Sequence, residues 1–122
     1  AHPIAAAAAM ANLDIFERED LVGKSAKTGA YFQKIMREKI GSHPLVGEVR
    51  GVALMCGVEL VANKAKKEPL PMSLKVAPRL GNMCIEEGLI SRALMGANAM
   101  AFSPPLIITE SECDEIVTRS TR

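Results

Sequence analysis

Between Pro3 and Glu17 the chain runs through six alanines, then Leu13 and Phe16, with no glycine or second proline to interrupt it. Alanine has the strongest helix propensity. Pro3 suits the first turn of a helix, where its missing N–H leaves no bond unmade. The stretch is therefore predicted as a helix, and from Ile4 to Ala11 every side chain is apolar. Such a helix has no solvent face of its own. Its small side chains permit close approach of a neighbour, so something is expected to cover it, either another element or protein beyond these residues. The chain opens on helix-forming sequence without an initial Met, and Cys113 to Arg122 is still in helical register when it stops. Both ends read as cuts in a longer protein.

Glycine and proline divide the rest. Asp20 can cap a second helix that Gly41 ends near Ile40. Val22, Ala26, Gly29, Phe32, Met36 and Ile40 recur at three- and four-residue spacing as its buried stripe. Lys24, Lys27, Lys34, Arg37 and Lys39 fall mostly outside that stripe, on a solvated face. After His43-Pro44, two strands are predicted within Val46–Leu60, meeting near Gly51, the second more buried. Gly51 and Gly57 are read as serving backbone geometry. Ala62 to Ser73 reads as an exposed loop, with Lys64, Lys66 and Lys67 keeping it soluble. Leu74, Ala77, Leu80, Met83 and Cys84 mark a third helix ending at Gly88, its start shifted or kinked by Pro78. Short strands follow at Leu89–Ala93 and Met100–Phe102, joined through Gly96-Ala97-Asn98. Pro104-Pro105 ends strand pairing, and the T-x-x-E spacing of Thr109 and Glu112 opens a last helix with a capping box. Strand pairs with short connections imply an α+β fold, a small antiparallel sheet with helices packed on one face. The 122 residues suffice for one domain with a core.

Composition narrows function mainly by exclusion. Fifteen basic against fourteen acidic residues leave a formal charge of +1, and aromatic residues are only 3%. Neither a field nor a stacking surface for nucleic acid is present. The charge-free run Ala93–Thr109 contains Gly96, Asn98 and Pro104-Pro105, which does not suit a membrane span. Cys56, Cys84 and Cys113 are odd in number and dispersed, which suits reduced thiols in the cytoplasm. Cys56 and Cys84 read as apolar core fillers. His2 and His43 are too isolated for a metal site, and none is expected.

No catalytic set is expected within the chain. It holds neither a phosphate-cradling glycine loop nor a nucleophile elbow. Glu86-Glu87 and Asp114-Glu115 are consecutive on helices and diverge, whereas acid–base work needs convergence. Arg92 stands apart, placed in the short apolar strand Leu89-Ile90-Ser91-Arg92-Ala93. A guanidinium can bind a substrate carboxylate through two parallel hydrogen bonds. It can equally pair with a structural acid such as Glu86 or Glu59, or reach solvent.

Several stretches taken together resemble the class III aminotransferases, the omega-transaminase group. His2-Pro3-Ile4-Ala5-Ala6-Ala7-Ala8-Ala9 is similar to the family's G-H-P-x-A-x-A-A segment, and Ala11-Asn12-Leu13-Asp14-Ile15 continues it. Val46–Leu60 resembles the hairpin V-R-G-x-G-L-M-x-G-x-E-L. Gly88-Leu89-Ile90-Ser91-Arg92 resembles G-[LV]-I-x-R, and Ser103–Thr109 resembles S-P-P-L-I-I-T. The resemblance spans nearly the whole chain and is specific in order and spacing.

It implies the C-terminal small domain, over residues 1–122, of a fold-type I transferase that uses pyridoxal 5'-phosphate. Residues 1–18 would form the helix leading from the missing large domain. The whole enzyme would be a cytoplasmic homodimer moving an amino group from an amine or omega-amino acid to a keto acid such as pyruvate. The cofactor-linked lysine, the aspartate on the pyridine nitrogen and the stacking aromatic all precede this segment in the family. The chain is thus expected to hold no catalytic or cofactor-binding residue and to be inactive alone. The resemblance makes Arg92 the substrate-carboxylate ligand. Ornithine-type members carry an R-F-x-P-P arginine where this sequence has Ala101, which implies amine:pyruvate or omega-amino-acid specificity. Arg50 is read as support for the hairpin turn. Two other readings stand beside this one: a free-standing, non-catalytic α+β binding or oligomerisation domain, and a family member that is a racemase or aminomutase.

Overall fold

The computed structural model describes residues 2–94 and 96–122. Helix α1 (Pro3–Arg18) begins at the proline and buries no residue; Phe16 alone in it is half-buried. Ile4, Met10 and Leu13 are more than half exposed, so within this fold the apolar face is uncovered. Glu19 and Asp20 turn the chain into α2 (Leu21–Ile40). Asp20 adopts a left-handed conformation (φ 46°), and its carboxylate accepts the Gly23 amide at 3.2 Å. The expected cap and length of this helix are therefore found.

The buried stripe of α2 departs from expectation in its first half. Leu21, Ser25, Gly29, Phe32, Gln33, Ile35 and Met36 are buried, whereas Val22 is 71% exposed and Ala26 is also exposed. Period alone cannot choose between two adjacent faces. Here the choice is made by the tip of the β1–β2 hairpin, β1 (Val46–Val52) and β2 (Met55–Asn63). A Cβ on Gly29 would lie 2.2 Å from the Ala53 carbonyl carbon, so only glycine admits that backbone. Gln33, itself 5% exposed, donates from Nε2 to the carbonyls of Ala53 (3.2 Å) and Met55 (2.8 Å).

The hairpin turns at Ala53-Leu54, two residues beyond the expected place, because Gly51 still pairs with Cys56 and Val52 with Met55. Ala53 takes a positive φ of 48°. The second strand is the more buried, as predicted. Gly51 is required by close approach, since a Cβ there would meet the Met55 carbonyl oxygen at 2.0 Å. Gly57 is not: a Cβ would meet only the Arg50 carbonyl oxygen, at 3.7 Å, and its φ is not positive.

Past β2 the chain does not remain a loop. Glu68–Pro69 form β3 against Val61 and Asn63, and a 3-10 turn follows at Met72–Leu74. Lys64 is more than a solubilising charge, since its Nζ donates to the Gly41 carbonyl at 2.6 Å and ties this segment to the end of α2. Helix α3 (Val76–Glu86) starts later than the period suggested, with Pro78 in its first turn, where proline leaves no bond unmade. Leu74 and Met83 of the expected stripe are about half exposed, while Ala77 and Gly81 are buried. Gly88, at φ +76°, ends the segment.

Strands β4 (Arg92–Ala93) and β5 (Ala99–Phe102) complete an antiparallel sheet of order β1-β2-β5-β4, with β3 beside the far end of β2. Asn98 in the connecting turn donates to the Leu70 carbonyl at 2.7 Å. Helix α4 (Glu110–Ser120) opens with the expected box: Thr109 Oγ1 accepts the Glu112 amide, and Glu112 accepts the Thr109 amide at 2.8 Å. The Glu112 carboxylate also accepts the Thr109 hydroxyl at 2.7 Å, and the bonds from the Thr109 amide and then this hydroxyl hold its carboxyl below its ordinary range.

Helices α2, α3 and α4 cover one face of the sheet. Phe32, Met36, Ala77, Cys113 and Val117 pack there against Val49, Cys56, Val58, Met100 and Phe102. The architecture is α+β, as expected. Cys56 lies in this core as expected and Cys113 joins it, whereas Cys84, also expected as a core filler, is only half-buried.

Candidate functional site

Among the described residues the sheet's other face carries no helix, and the strand registers order what stands on it. Arg92 pairs with Ala101, Ala101 with Gly57, and Gly57 with Arg50. Partners opposite one another in an antiparallel ladder point to one side. Their sequence neighbours Ala93, Met100, Phe102, Val58 and Val49 all pack into the core, so this row of four faces outward. Two arginines thus flank a methyl and a hydrogen, about 14 Å apart across three strand spacings.

The two guanidiniums differ in what holds them. Arg50 donates from one Nη to Glu48 at 2.9 Å and to Glu59 at shorter range. Those bonds, Glu59's first, raise its pKa further. Both pairs are about half exposed, where screening leaves little net energy, so they orient more than they stabilise. Arg92 is exposed and takes part in no ion pair among the described residues. Of the structural acids that could have claimed it, Glu59 is occupied by Arg50, and Glu86 takes part in no ion pair among the described residues.

Arg92 also lines a cavity of about 560 Å³ at the free edge of β4. Gly88–Arg92, Ala101–Pro105 and the α4 residues Glu112, Glu115, Ile116 and Arg119 enclose it. Arg119 there is engaged, with Nε on Glu115 at 3.0 Å and Nη1 on the Glu87 carbonyl. Ser91 Oγ is buried without a hydrogen-bond partner. Next to Arg92 in the chain, it cannot share the outward row. The Asp114-Glu115 pair diverges as expected: Asp114 accepts the Tyr31 hydroxyl at 2.7 Å, while Glu115 accepts Arg119.

No lysine lines the Arg92 cavity. Pyridoxal phosphate requires a lysine amine and a cradle for its phosphate. The residues lining this cavity do not by themselves fit that cofactor. Among the described residues no group of His, Cys, Asp and Glu could hold a metal. Nor is any helix long and apolar enough to cross a membrane. Sequence reasoning located Arg92, but it did not bring Ala101 and Gly57 beside it. Strand register alone makes that link, and no local signal encodes it.

The family model described as "Aminotransferase class-III" matches residues 1–121. The chain is 44% identical to the diaminobutyrate–2-oxoglutarate transaminase of Halomonas elongata, covering 99% of this chain and 26% of that protein. It is 41% identical to the putrescine–pyruvate aminotransferase of Pseudomonas aeruginosa, covering 96% and 25%. A transaminase structure obtained by directed evolution through ancestral reconstruction superposes with a TM-score of 0.95 at 57% identity, over 98% of this chain and 26% of that one. The chain spans about a quarter of the length of the relatives it matches.

Proposed function

This chain belongs to the class III aminotransferases, and from that premise we propose that residues 1–122 form the C-terminal small domain of a transaminase. Residues 1–18 supply the helix that leads from a cofactor-bearing large domain. The whole enzyme transfers an amino group from an amine or omega-amino acid to a keto acid such as pyruvate. It works as a cytoplasmic homodimer with pyridoxal phosphate held outside this segment, and the segment alone is inactive. When bound, that cofactor would supply an electron sink that stabilises carbanion character during amino-group transfer.

What this chain contributes is recognition. Arg92 is the substrate-carboxylate ligand, and the observation that carries the reading is its unclaimed guanidinium on a face where Arg50 has taken the acids. A free guanidinium is pre-set for a planar, two-bond grip on a carboxylate. Ala101, half-buried beside it, places no second cation there. A single carboxylate anchor fits an amine donor paired with a simple keto acid, and the putrescine–pyruvate relative names that pairing for itself. The half-buried and exposed side chains along α1 support the domain reading over a free-standing module, which would cover them.

The test is Arg92→Ala in the full-length enzyme. Loss of a charge-assisted contact costs about 1.5–3 kcal/mol. The KM for pyruvate is expected to rise roughly ten- to hundredfold, with little change for an uncharged amine. Equal effects on both substrates would sink the carboxylate role.

A further inference from the structure

Strand β4 carries Arg92 but is itself weakly held. It is an edge strand of two residues, paired only with β5, through Arg92–Ala101 and Ala93–Met100. The cavity of about 560 Å³ separates it from α4. Ahead of it Leu89 packs against the core, but Ile90 is 90% exposed and Ser91 Oγ is buried without a partner. Among the described residues, neither Ile90 nor Ser91 makes a backbone–backbone hydrogen bond. The place of Arg92 is therefore set from two ends, the β5 register beside it and the close of α3 before it.

Arg119 fixes that close. Its Nη1 donates to the carbonyl of Glu87, the C-cap residue of α3, at a helix end where carbonyls lack intrahelical partners. A cation there also meets the negative end of the helix dipole. The same nitrogen lies 2.5 Å from where a Cβ on Gly88 would stand. The guanidinium thus rests on the turn at which the chain leaves α3 for β4. Glu115, one turn earlier on α4, accepts Nε at 3.0 Å and also Nη2, and so aims the group. Arg122, beyond the end of α4, reaches only the Glu87 carboxylate, at 3.4 Å, and is more exposed.

We infer that Arg119 is a positioning residue for Arg92: a strut from α4 across the cavity that fixes the end of α3, and so the edge strand presenting the carboxylate grip. The inference rests on the carboxylate role of Arg92 proposed above. A guanidinium on a loosened strand must be ordered at the moment of binding, and that entropy is subtracted from affinity. The loss falls on substrates that Arg92 grips.

The experiment uses the full-length holoenzyme, with pyruvate as acceptor and a straight-chain alkylamine, which has no carboxylate, as donor. KM for each is measured in wild type, Arg119→Met, Arg119→Lys and Arg92→Ala, and in Arg92→Ala combined with each Arg119 variant. Arg119→Met keeps an apolar stem and removes the donors. It is expected to raise the KM for pyruvate roughly three- to tenfold, the worth of one intramolecular hydrogen bond, with little change for the alkylamine. Arg119→Lys keeps a donor for the Glu87 carbonyl and is expected to fall between. In the Arg92→Ala background neither variant is expected to raise the pyruvate KM further, because the two arginines act as one unit. If Arg119→Met does not fold, Arg119→Lys carries the same comparison. A further rise in that background, equal effects on both substrates, or an unchanged pyruvate KM overturns the inference. If Arg92→Ala itself affects pyruvate and the alkylamine alike, the carboxylate role falls and takes this inference with it. If Arg92→Ala is selective for pyruvate while the Arg119 variants are not, the Arg119 inference falls alone.

Discussion

Arg50 and Arg92 are chemically identical and stand in one row of one sheet face, yet only one is available to a ligand. The difference lies in Glu48 and Glu59, which the β1–β2 register sets around Arg50 and away from Arg92. The three cysteines divide in the same way. Burial raises the Cys56 and Cys113 thiols to about 11, with the acids around Cys113 adding to its rise. Cys84 is half-buried on α3. Since the thiolate is the nucleophile, a group raised so far is almost wholly protonated and inert at neutral pH. Alkylation of the native chain is therefore expected to add a single label, at Cys84, and three labels after denaturation. Native labelling at Cys56 or Cys113 would contradict the packing described. The sequence offered the residue types for these assignments but not their partners. Arg92 was visible as an odd cation in an apolar strand, whereas its freedom depends on a residue 33 places earlier in the chain, Glu59, being already engaged.

Elements whose ends are governed by neighbours in sequence were legible. Asp20 on Gly23 and the Thr109–Glu112 box each close within three residues, so spacing was enough to place the starts of α2 and α4. Elements governed from a distance were not. The hairpin turns at Ala53 rather than at glycine because Gln33 and Gly29 of α2 receive that backbone, and the same contact rotates the buried stripe onto Ser25. Gly29 is accordingly the joint on which helix and hairpin depend. Alanine there gains about 1 kcal/mol of helix propensity. Against that gain stands a methyl 2.2 Å from backbone carbon, which no rotamer can relieve. Overpacking of this kind costs about 1–3 kcal/mol or more. Gly29→Ala is therefore expected to lower stability on balance, read as a lower midpoint of chemical denaturation. A midpoint at or above the wild-type value would show that the hairpin tip does not rest on α2.

At the scale of the molecule, the core and α1 are almost separate. The sheet, α2, α3 and α4 share one cluster centred on Phe32, Met36 and Cys113, none of which touches solvent, while α1 buries nothing. Ile4 at 75% exposure and Met10 at 60% line a helix that the composition already marked as needing cover. A helix of this length is marginal by itself in water. Alanine-rich composition and Pro3 favour it locally, but packing adds little. Two outcomes follow for the 122-residue chain. Deleting residues 1–18 should leave the cooperative unfolding transition of the remainder essentially in place, because only the half-buried Phe16 is lost from the packing. The intact chain should associate with rising concentration through its uncovered apolar helix, and the shortened chain should not, as read by sedimentation. If deletion instead abolished cooperative unfolding, α1 would be part of the core after all, and its exposed face would need no second domain to cover it. If the transition survives and association disappears, α1 behaves as one half of an interface, as a helix leading into a large domain requires.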